Sequence, residues 1–486
     1  MRAAKLCITV TGRTMAELRE RRDNVTDADL VELRVDSVAD PSAAGALAGR
    51  RKPVIFTCRP TWEGGQFAGS EDQRRRLLGE AQHLGAEYID VEWRAGFTEL
   101  IAARGGQGVV ISMHDFNGVP DDLAARAAAM RSTGAEVVKL AVMARRLTDC
   151  LSLIPITRAF TSGVVVIAMG DAGVSTRVLA SRFGSCWTYA GDAVAPGQIS
   201  AARMRKEFAF GRVADRTAVY GVVGRPVMHS VSPAMHNAAF NATRMDAVYL
   251  PLAAADFPDF LSFADVMAIE GVSVTAPFKV DAFAHAAESD PVARRIQSAN
   301  TLRRTRGRWT ACTTDVAGFL APLRPLMTLH GCRATILGAG GAARAAAEGL
   351  SSSGANVTIV ARRRDAAARV AALTGASVAA WPPAPASWDL LVNATPIGTA
   401  PALEDSPVPD TPLTGQLVYD LVYNPVETQL LKDARASGCQ TLGGLDMLVA
   451  QAQQQFEWWT GTKPSERVLR DAALTALTSR QGERGR

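Results

Sequence analysis

Positive charge in this 486-residue chain is written almost wholly as arginine: of 53 basic residues only Lys5, Lys52, Lys139, Lys206, Lys279, Lys432 and Lys463 are lysines. An amine can lose its proton and attack a carbonyl, which a guanidinium cannot do, so lysines in apolar settings are the first candidates for chemistry. Lys139 lies mid-run in GAEVVKLAVMA, among Val137, Val138, Leu140 and Val142. Desolvation favours the neutral form of an amine, the form that makes a Schiff base with a ketone. The bland alternative is a stem packed along a strand with its head snorkelling to water. His114, at the end of ISMHDFNGVP, is a base of the right kind to take a proton from the carbon beside an imine. Arg34, Arg59 and Arg177 are far apart in sequence, yet each falls at or just after a β-like run, as recognition of a carboxylate and hydroxyl groups requires.

The C-terminal half carries a second set. ILGAGGAARA has the G-x-G-x-x-A form of a strand, a glycine turn and a helix start, with Gly338 and Gly340 letting the backbone approach a pyrophosphate. The next β-like run, NVTIVARRR, ends on Arg362, Arg363 and Arg364 where a chain binding NAD places an acid. Arginine there suits a 2′-phosphate, unless the run is only a solvated surface. Upstream, Ser230 and Ser232 offer hydroxyls to a carboxylate or act as helix caps, and Lys279 with Asp315 is an amine and carboxylate able to move a proton.

These residues need elements to hold them. Eight β-like runs, KLCITV, LVELRVD, KPVIFTCR, EYIDVEW, GVVISMHD, EVVKLAVMA, GVVVIAMG and CWTYA, alternate with Ala/Leu/Arg-rich helical stretches in the first 190 residues or so. Strands alternating with helices imply parallel pairing, and eight such units point to a (β/α)8 barrel with its chemistry at the strand C-termini. Glu32, Arg34, Arg59, His114, Lys139 and Arg177 all fall there. A new β-run, AVYGVVG, begins a second α/β segment near residue 217, and CRATILGAGG opens a third of nucleotide-binding type. The expected architecture is a barrel over residues 1–212, a substrate lobe over 217–320 completed by helices at about 445–480, and a Rossmann-like domain over 321–444.

The length suits two or three cores. Hydrophobic residues are 48% and charged residues 21%, and no apolar run approaches a bilayer span, which excludes disordered and membrane-spanning classes. The net charge of +5 is scattered, so nucleic acid is not an expected partner. Seven widely spaced cysteines form no C-x-x-C pair, which suggests neither a zinc site nor a disulfide framework and fits a reducing cytoplasm. No metal is expected.

Residues 1 to about 205 resemble type I 3-dehydroquinate dehydratases through ELRVD, FTCRPTWEGG, MHDF, VVKLA, MGDAGVSTR and APGQIS. The resemblance implies that Lys139 forms the imine, that His114 removes the C2 proton and assists loss of water, and that Glu63 orients the histidine. It implies a carboxylate held by Arg177 and hydroxyls held by Glu32, Arg34, Arg59 and Gln198. Thr9, where a serine is common, keeps a hydroxyl for the substrate; Val194, also in a common serine position, does not.

Residues 217 to about 480 resemble shikimate dehydrogenases through HSVSPAMHN, SVTAPFK, ANT, GAGGAARA, NATPIGT, DLVYNP and GLDMLVAQAQQQFEWWTG. The resemblance implies carboxylate binding by Ser230 and Ser232 and hydroxyl contacts from Thr275, Asn300, Asp315 and Gln451. Lys279 and Asp315 would manage the proton, and Tyr423 would line the site. NADP would be held by Gly338, Ala339, Gly340, Gly341, Ala342, Arg362, Arg363 and Thr395, with Leu421 and Gly444 flanking the nicotinamide. Ser273, Thr313 and Pro396 depart from the usual residues without removing a catalytic group.

The two resemblances together imply a bifunctional enzyme that converts 3-dehydroquinate to 3-dehydroshikimate and reduces it to shikimate, its partners being small molecules. The rivals are a metabolite sensor that has kept these folds and a quinate dehydrogenase. The four groups Lys139, His114, Lys279 and Asp315 argue against the first, and the serine pair disfavours the second.

Overall fold

The computed structural model describes residues 4–161, 163–191, 196–409 and 411–484. They divide into two compact units, Met1–Val219 with Asp246–Ala268, and Tyr220–Met245 with Ile269–Arg486.

All eight N-terminal β-like runs are strands: β1 (Lys5–Thr11), β2 (Leu30–Arg34), β3 (Val54–Thr57), β4 (Tyr88–Glu92), β5 (Val109–Asp115), β6 (Val137–Met143), β7 (Val164–Met169) and β8 (Trp187–Ala190). They form one parallel sheet in the order β7-β6-β5-β4-β3-β2-β1-β8. Its two ends meet where the Cys186 N–H donates to Val164 O at 2.9 Å, which makes the sheet a barrel. Both faces of each strand are buried, inside by the barrel core and outside by helices, so the strands read as near-continuous Val/Ile/Leu runs. The interior is filled by Ile55, Val110, Val137, Val165, Ile167 and Trp187, among others. The helix Glu71–His83 starts on a capping box between Ser70 and Gln73 and turns the buried Arg74 toward the barrel.

Six further strands, β9 (Ala218–Gly224), β10 (Ala247–Ala253), β11 (Ile269–Val274), β12 (Glu288–Ser289), β13 (Thr301–Thr305) and β14 (Arg308–Cys312), form a mixed sheet in the order β10-β9-β11-β13-β14-β12. The third sheet is parallel, β17-β16-β15-β18-β19-β20, from β15 (Arg333–Leu337), β16 (Asn356–Val360), β17 (Ser377–Ala379), β18 (Leu390–Asn393), β19 (Leu417–Asp420) and β20 (Gln440–Gly443). Strand order reverses between β15 and β18, the switch point at which doubly wound sheets open a crevice for ligands.

Residues 246–268 group with the first compact unit, although their strand β10 is an edge of the mixed sheet. On the helix Phe257–Val266, Asp259 accepts the backbone N–H groups of Leu147 and Thr148 at 3.0 and 2.9 Å and the Thr148 hydroxyl at 2.8 Å. Nothing in the sequence distinguishes this carboxylate from an ordinary first-turn acid. No helix among the described residues is long and apolar enough to cross a membrane.

Candidate active sites

Side chains two apart on a strand share a face, and the barrel uses this to gather its polar groups. β6 pairs with β5 so that Lys139 lies opposite Ser112 and Ala141 opposite His114, which places the histidine one layer nearer the mouth than the lysine. The cavity at that mouth is lined by all nine expected residues, Thr9, Glu32, Arg34, Arg59, Glu63, His114, Lys139, Arg177 and Gln198. Position 194 lies outside the described residues.

The expectation of an apolar setting for Lys139 is corrected. Its Nζ is 3.3 Å from Glu32 Oε1 and 3.2 Å from Asp90 Oδ2, and 4.2 Å from the centre of the Tyr189 ring. The strand sequence concealed this, because both carboxylates come from other strands. Glu32 also accepts the Thr9 and Thr57 hydroxyls at 2.9 and 3.2 Å. Arg34 is held by Asp36 through two 2.8 Å bonds, and Arg59 by Asp90 and Glu92 at 3.0 and 2.7 Å.

Glu63 Oε1 accepts the His114 backbone N–H at 2.7 Å and lies 3.3 Å from the ring Nδ1. A proton on Nδ1 satisfies that contact and leaves Nε2 as the basic atom. Burial, with Arg59 and Lys139 nearby, pushes the histidine pKa well below its ordinary value, so the imidazole is neutral near pH 7. A base works in its deprotonated form, so activity falls only as pH drops through that lowered pKa. kcat/KM for dehydration is therefore expected to stay flat from pH 7 to below 6.5; an acid limb centred near 6.5 in a pH series would contradict it.

Arg177 is the informative group. It is 2% exposed, and among the described residues its Nη atoms reach only the carbonyls of Tyr189 and Pro196 at 3.4 and 3.3 Å, while Nε has no partner. No carboxylate among the described residues pairs with it, and burial brings its pKa down to about 10. A buried guanidinium lacking an anion is costly, and one lining a cavity is complementary to an incoming carboxylate.

The second site is equally well assembled. Lys279 Nζ donates to Asp315 Oδ2 at 2.5 Å, and Asn300 Nδ2 donates to Asp315 Oδ1 at 2.7 Å. Ser230, Ser232, Thr275, Tyr423, Gln451, Ala342, Leu421 and Gly444 line the same cavity with Lys279, Asn300 and Asp315. Ser230 Oγ also accepts the Ser232 N–H at 3.3 Å, but neither serine is the N-cap of the helix Ser232–Ala242, which is Val231. Ser273 donates to Gln455 at 2.7 Å, and Gln455 in turn donates to Asn300 O at 3.3 Å and Thr301 Oγ1 at 3.0 Å. A hydroxyl at position 273 thus still supports Asn300.

A neighbouring cavity at the C-terminal ends of β15, β16 and β18 is lined by Gly338, Ala339, Gly340, Arg362, Arg363 and Thr395, with Trp381 and Ile397. Gly338 has φ +110°, and a Cβ there would meet Ala394 O at 3.0 Å. Gly340, just before the helix Gly341–Ser352, has open space where a side chain would stand, so its backbone is accessible to a phosphate at a helix N-terminus. The lining holds two arginines and no carboxylate, which fits a phosphorylated ribose. Gly341 does not line this cavity; a Cβ there would lie 2.9 Å from Lys279 Cδ, so its smallness makes room for the lysine stem.

Residues 6–212 match the family model for type I 3-dehydroquinase, residues 222–302 that for the shikimate dehydrogenase substrate-binding domain, and residues 444–474 that for the shikimate 5′-dehydrogenase C-terminal domain. A bifunctional 3-dehydroquinate dehydratase/shikimate dehydrogenase of Arabidopsis thaliana is 33% identical over 470 residues, covering 89% of this chain and 78% of its own. The chain belongs to that bifunctional family. It combines a lyase half with an oxidoreductase half. The C-terminal half is also 41% identical to an NADP(+) shikimate dehydrogenase of an Anaeromyxobacter species, over 54% of this chain and 98% of that one. A shikimate dehydrogenase solved with NADP+ aligns at 31% identity with a TM-score of 0.51, over 54% of this chain and 96% of that one.

The structure adds residues that the sequence did not single out. Asp90 and Glu92 pair with Arg59 beneath the barrel cavity, His229 and Gln455 line the second site, and Trp381 lines the third. A signal existed for the first two, since acids two apart in EYIDVEW must share a face of β4.

Proposed function

We propose that the barrel dehydrates 3-dehydroquinate through an imine on Lys139 and that the second unit reduces the resulting 3-dehydroshikimate to shikimate with NADPH. The observation that carries the first step is one cavity holding Lys139, His114 beside Glu63, and Arg177, which pairs with no carboxylate among the described residues. The substrate carboxylate neutralises Arg177, which brings the ketone to Lys139 Nζ. The nitrogen adds to the ketone carbon, the oxygen leaves as water, and the resulting iminium draws electrons from C2. His114 takes the C2 proton and returns a proton to the C1 hydroxyl, which leaves as water, and hydrolysis of the iminium frees the lysine. Glu63 keeps the imidazole oriented, while Thr9, Glu32, Arg34, Arg59 and Gln198 hold hydroxyls.

In the second unit Ser230 and Ser232 hold the carboxylate, and Thr275, Asn300, Tyr423 and Gln451 position the ring. Lys279 and Asp315 carry the proton to or from the reacting oxygen. NADP, when bound, supplies or accepts the hydride; Gly338, Ala339, Gly340 and Thr395 would hold its phosphates, Arg362 and Arg363 its 2′-phosphate, and Leu421 and Gly444 its nicotinamide end. The functional division follows residues 1–212, 217–320 with 445–480, and 321–444. The unpaired cysteines suit a reducing compartment such as the cytoplasm. A sensor has no use for an imine-forming amine, which disfavours that rival.

Borohydride added with substrate or product tests this reading: peptide mass spectrometry should find a reduced adduct on Lys139, and an adduct on another lysine or none would refute it. Cofactor choice tests the second half. Two arginines and no acid favour NADP, so kcat/KM is expected to be at least about tenfold higher with NADP than with NAD, and Arg362→Ala should narrow that gap; the margin is that of about one charge-assisted contact.

A further inference from the structure

Below the barrel cavity lies a group of buried charges to which the roles above assign nothing. Asp90 and Glu92 point inward from β4, are fully buried, and do not line the cavity. Asp90 Oδ2 lies 3.2 Å from Lys139 Nζ and 3.0 Å from Arg59 Nη2, and Asp90 Oδ1 accepts the Ser112 hydroxyl at 2.5 Å. Ser112 Oγ accepts from Arg59 Nη1 at 2.8 Å. Glu92 pairs with Arg59 at 2.7 Å and closes the set against Arg74. A barrel layer built only for stability is filled with branched aliphatic side chains, because buried ion pairs recover little more than their desolvation cost. A charged layer directly under a reactive amine therefore calls for a chemical reason.

We propose that Asp90 is a positioning residue for the imine step, acting from beneath the cavity to fix Lys139 Nζ against Arg59 and to counter the charge of the iminium. This rests on the dehydratase reading above. When the amine condenses with the ketone, the nitrogen keeps one hydrogen and the positive charge passes from ammonium to iminium. The protonated form is the electron sink that loosens the C2 proton, and a fixed anion within 3.2 Å keeps the proton on nitrogen. Glu32 is close to the same nitrogen, but it lines the cavity and is shared with Thr9 and Thr57. Asp90 is out of reach of substrate hydroxyls, so its partnership with the nitrogen is undisturbed when the cavity fills.

The test uses the full chain with Asp90→Asn, which keeps the shape and removes the charge, and Ser112→Ala, which keeps every charge and removes the hydroxyl that holds Asp90. Dehydratase kcat and KM are measured beside the rate at which borohydride traps the Lys139 adduct. Asp90→Asn is expected to lower kcat and the trapping rate together by about 10- to 100-fold, the range for outer-shell partners, with KM changed less than about threefold. Ser112→Ala is expected to lower both by about 2- to 10-fold. A KM rise at unchanged kcat, or wild-type trapping in both variants, overturns the assignment to Asp90 while leaving the dehydratase reading intact. If Asp90→Asn does not fold, an unaltered kcat and trapping rate in Ser112→Ala overturns it alone. Wild-type protein that forms no adduct on Lys139 overturns the reading and the inference together.

Discussion

Lys139→Ala is expected to lower kcat for dehydration of 3-dehydroquinate by about ten-thousandfold or more, while shikimate oxidation stays near the wild-type rate. Among the described residues no other lysine lines the barrel cavity to take over formation of the imine. His114 alone would then face a C2 proton made acidic only by a neutral ketone. The substitution also leaves Glu32 and Asp90 without their shared cation. Asp90 keeps Arg59, but Glu32 is left with hydroxyl partners; a buried carboxylate that loses its cation destabilises, so the variant's melting temperature should fall by several degrees, which the unaffected dehydrogenase activity separates from global unfolding. Assay of the two reactions on one preparation checks this, and loss of both in a protein that still melts cooperatively would contradict it.

Lys279→Ala is expected to do the reverse. Each cavity is lined by residues of a single compact unit, so neither site borrows a group from the other. Removing Lys279 leaves Asp315 held by Asn300 but takes away the ammonium 2.5 Å from it, and with it the proton route to the reacting oxygen. The loss in kcat for shikimate oxidation should be about a hundredfold to ten-thousandfold, the usual range for a general acid or base. Dehydration should continue unchanged. A variant whose KM rises while kcat holds would show that Lys279 only binds.

Much of this was written in the sequence. Eight strands were legible because β-branched runs recur between alanine-rich helices, and the lysines of the two sites stood out because arginine carries the remaining positive charge. The arginines at strand ends converge as expected. What escaped reading depended on which side chains meet across elements. The immediate neighbours Val138 and Leu140 point to the other face of the strand, whereas the neighbours of Lys139 in space include acids from β2 and β4, the second of which the run EYIDVEW half disclosed by its two-residue spacing. The attachment of Asp259 to Leu147 and Thr148 escaped because it has no local signature. Trp381 escaped because a proline-rich loop reads only as a connection, although it lines the proposed cofactor cavity. Gly341 belongs to the phosphate-loop motif, and its close approach to the Lys279 stem has no signature in that motif.

The most direct test of the whole account is one incubation of the purified full chain with 3-dehydroquinate and NADPH, with no other enzyme present, following NADPH oxidation by absorbance and shikimate by chromatography. NADPH should be consumed and shikimate should accumulate in step with it. Lys139→Ala should consume none until 3-dehydroshikimate is supplied, and then proceed as the wild type does. An absence of NADPH oxidation by the wild type, or oxidation that persists with 3-dehydroquinate in Lys139→Ala, would contradict the account.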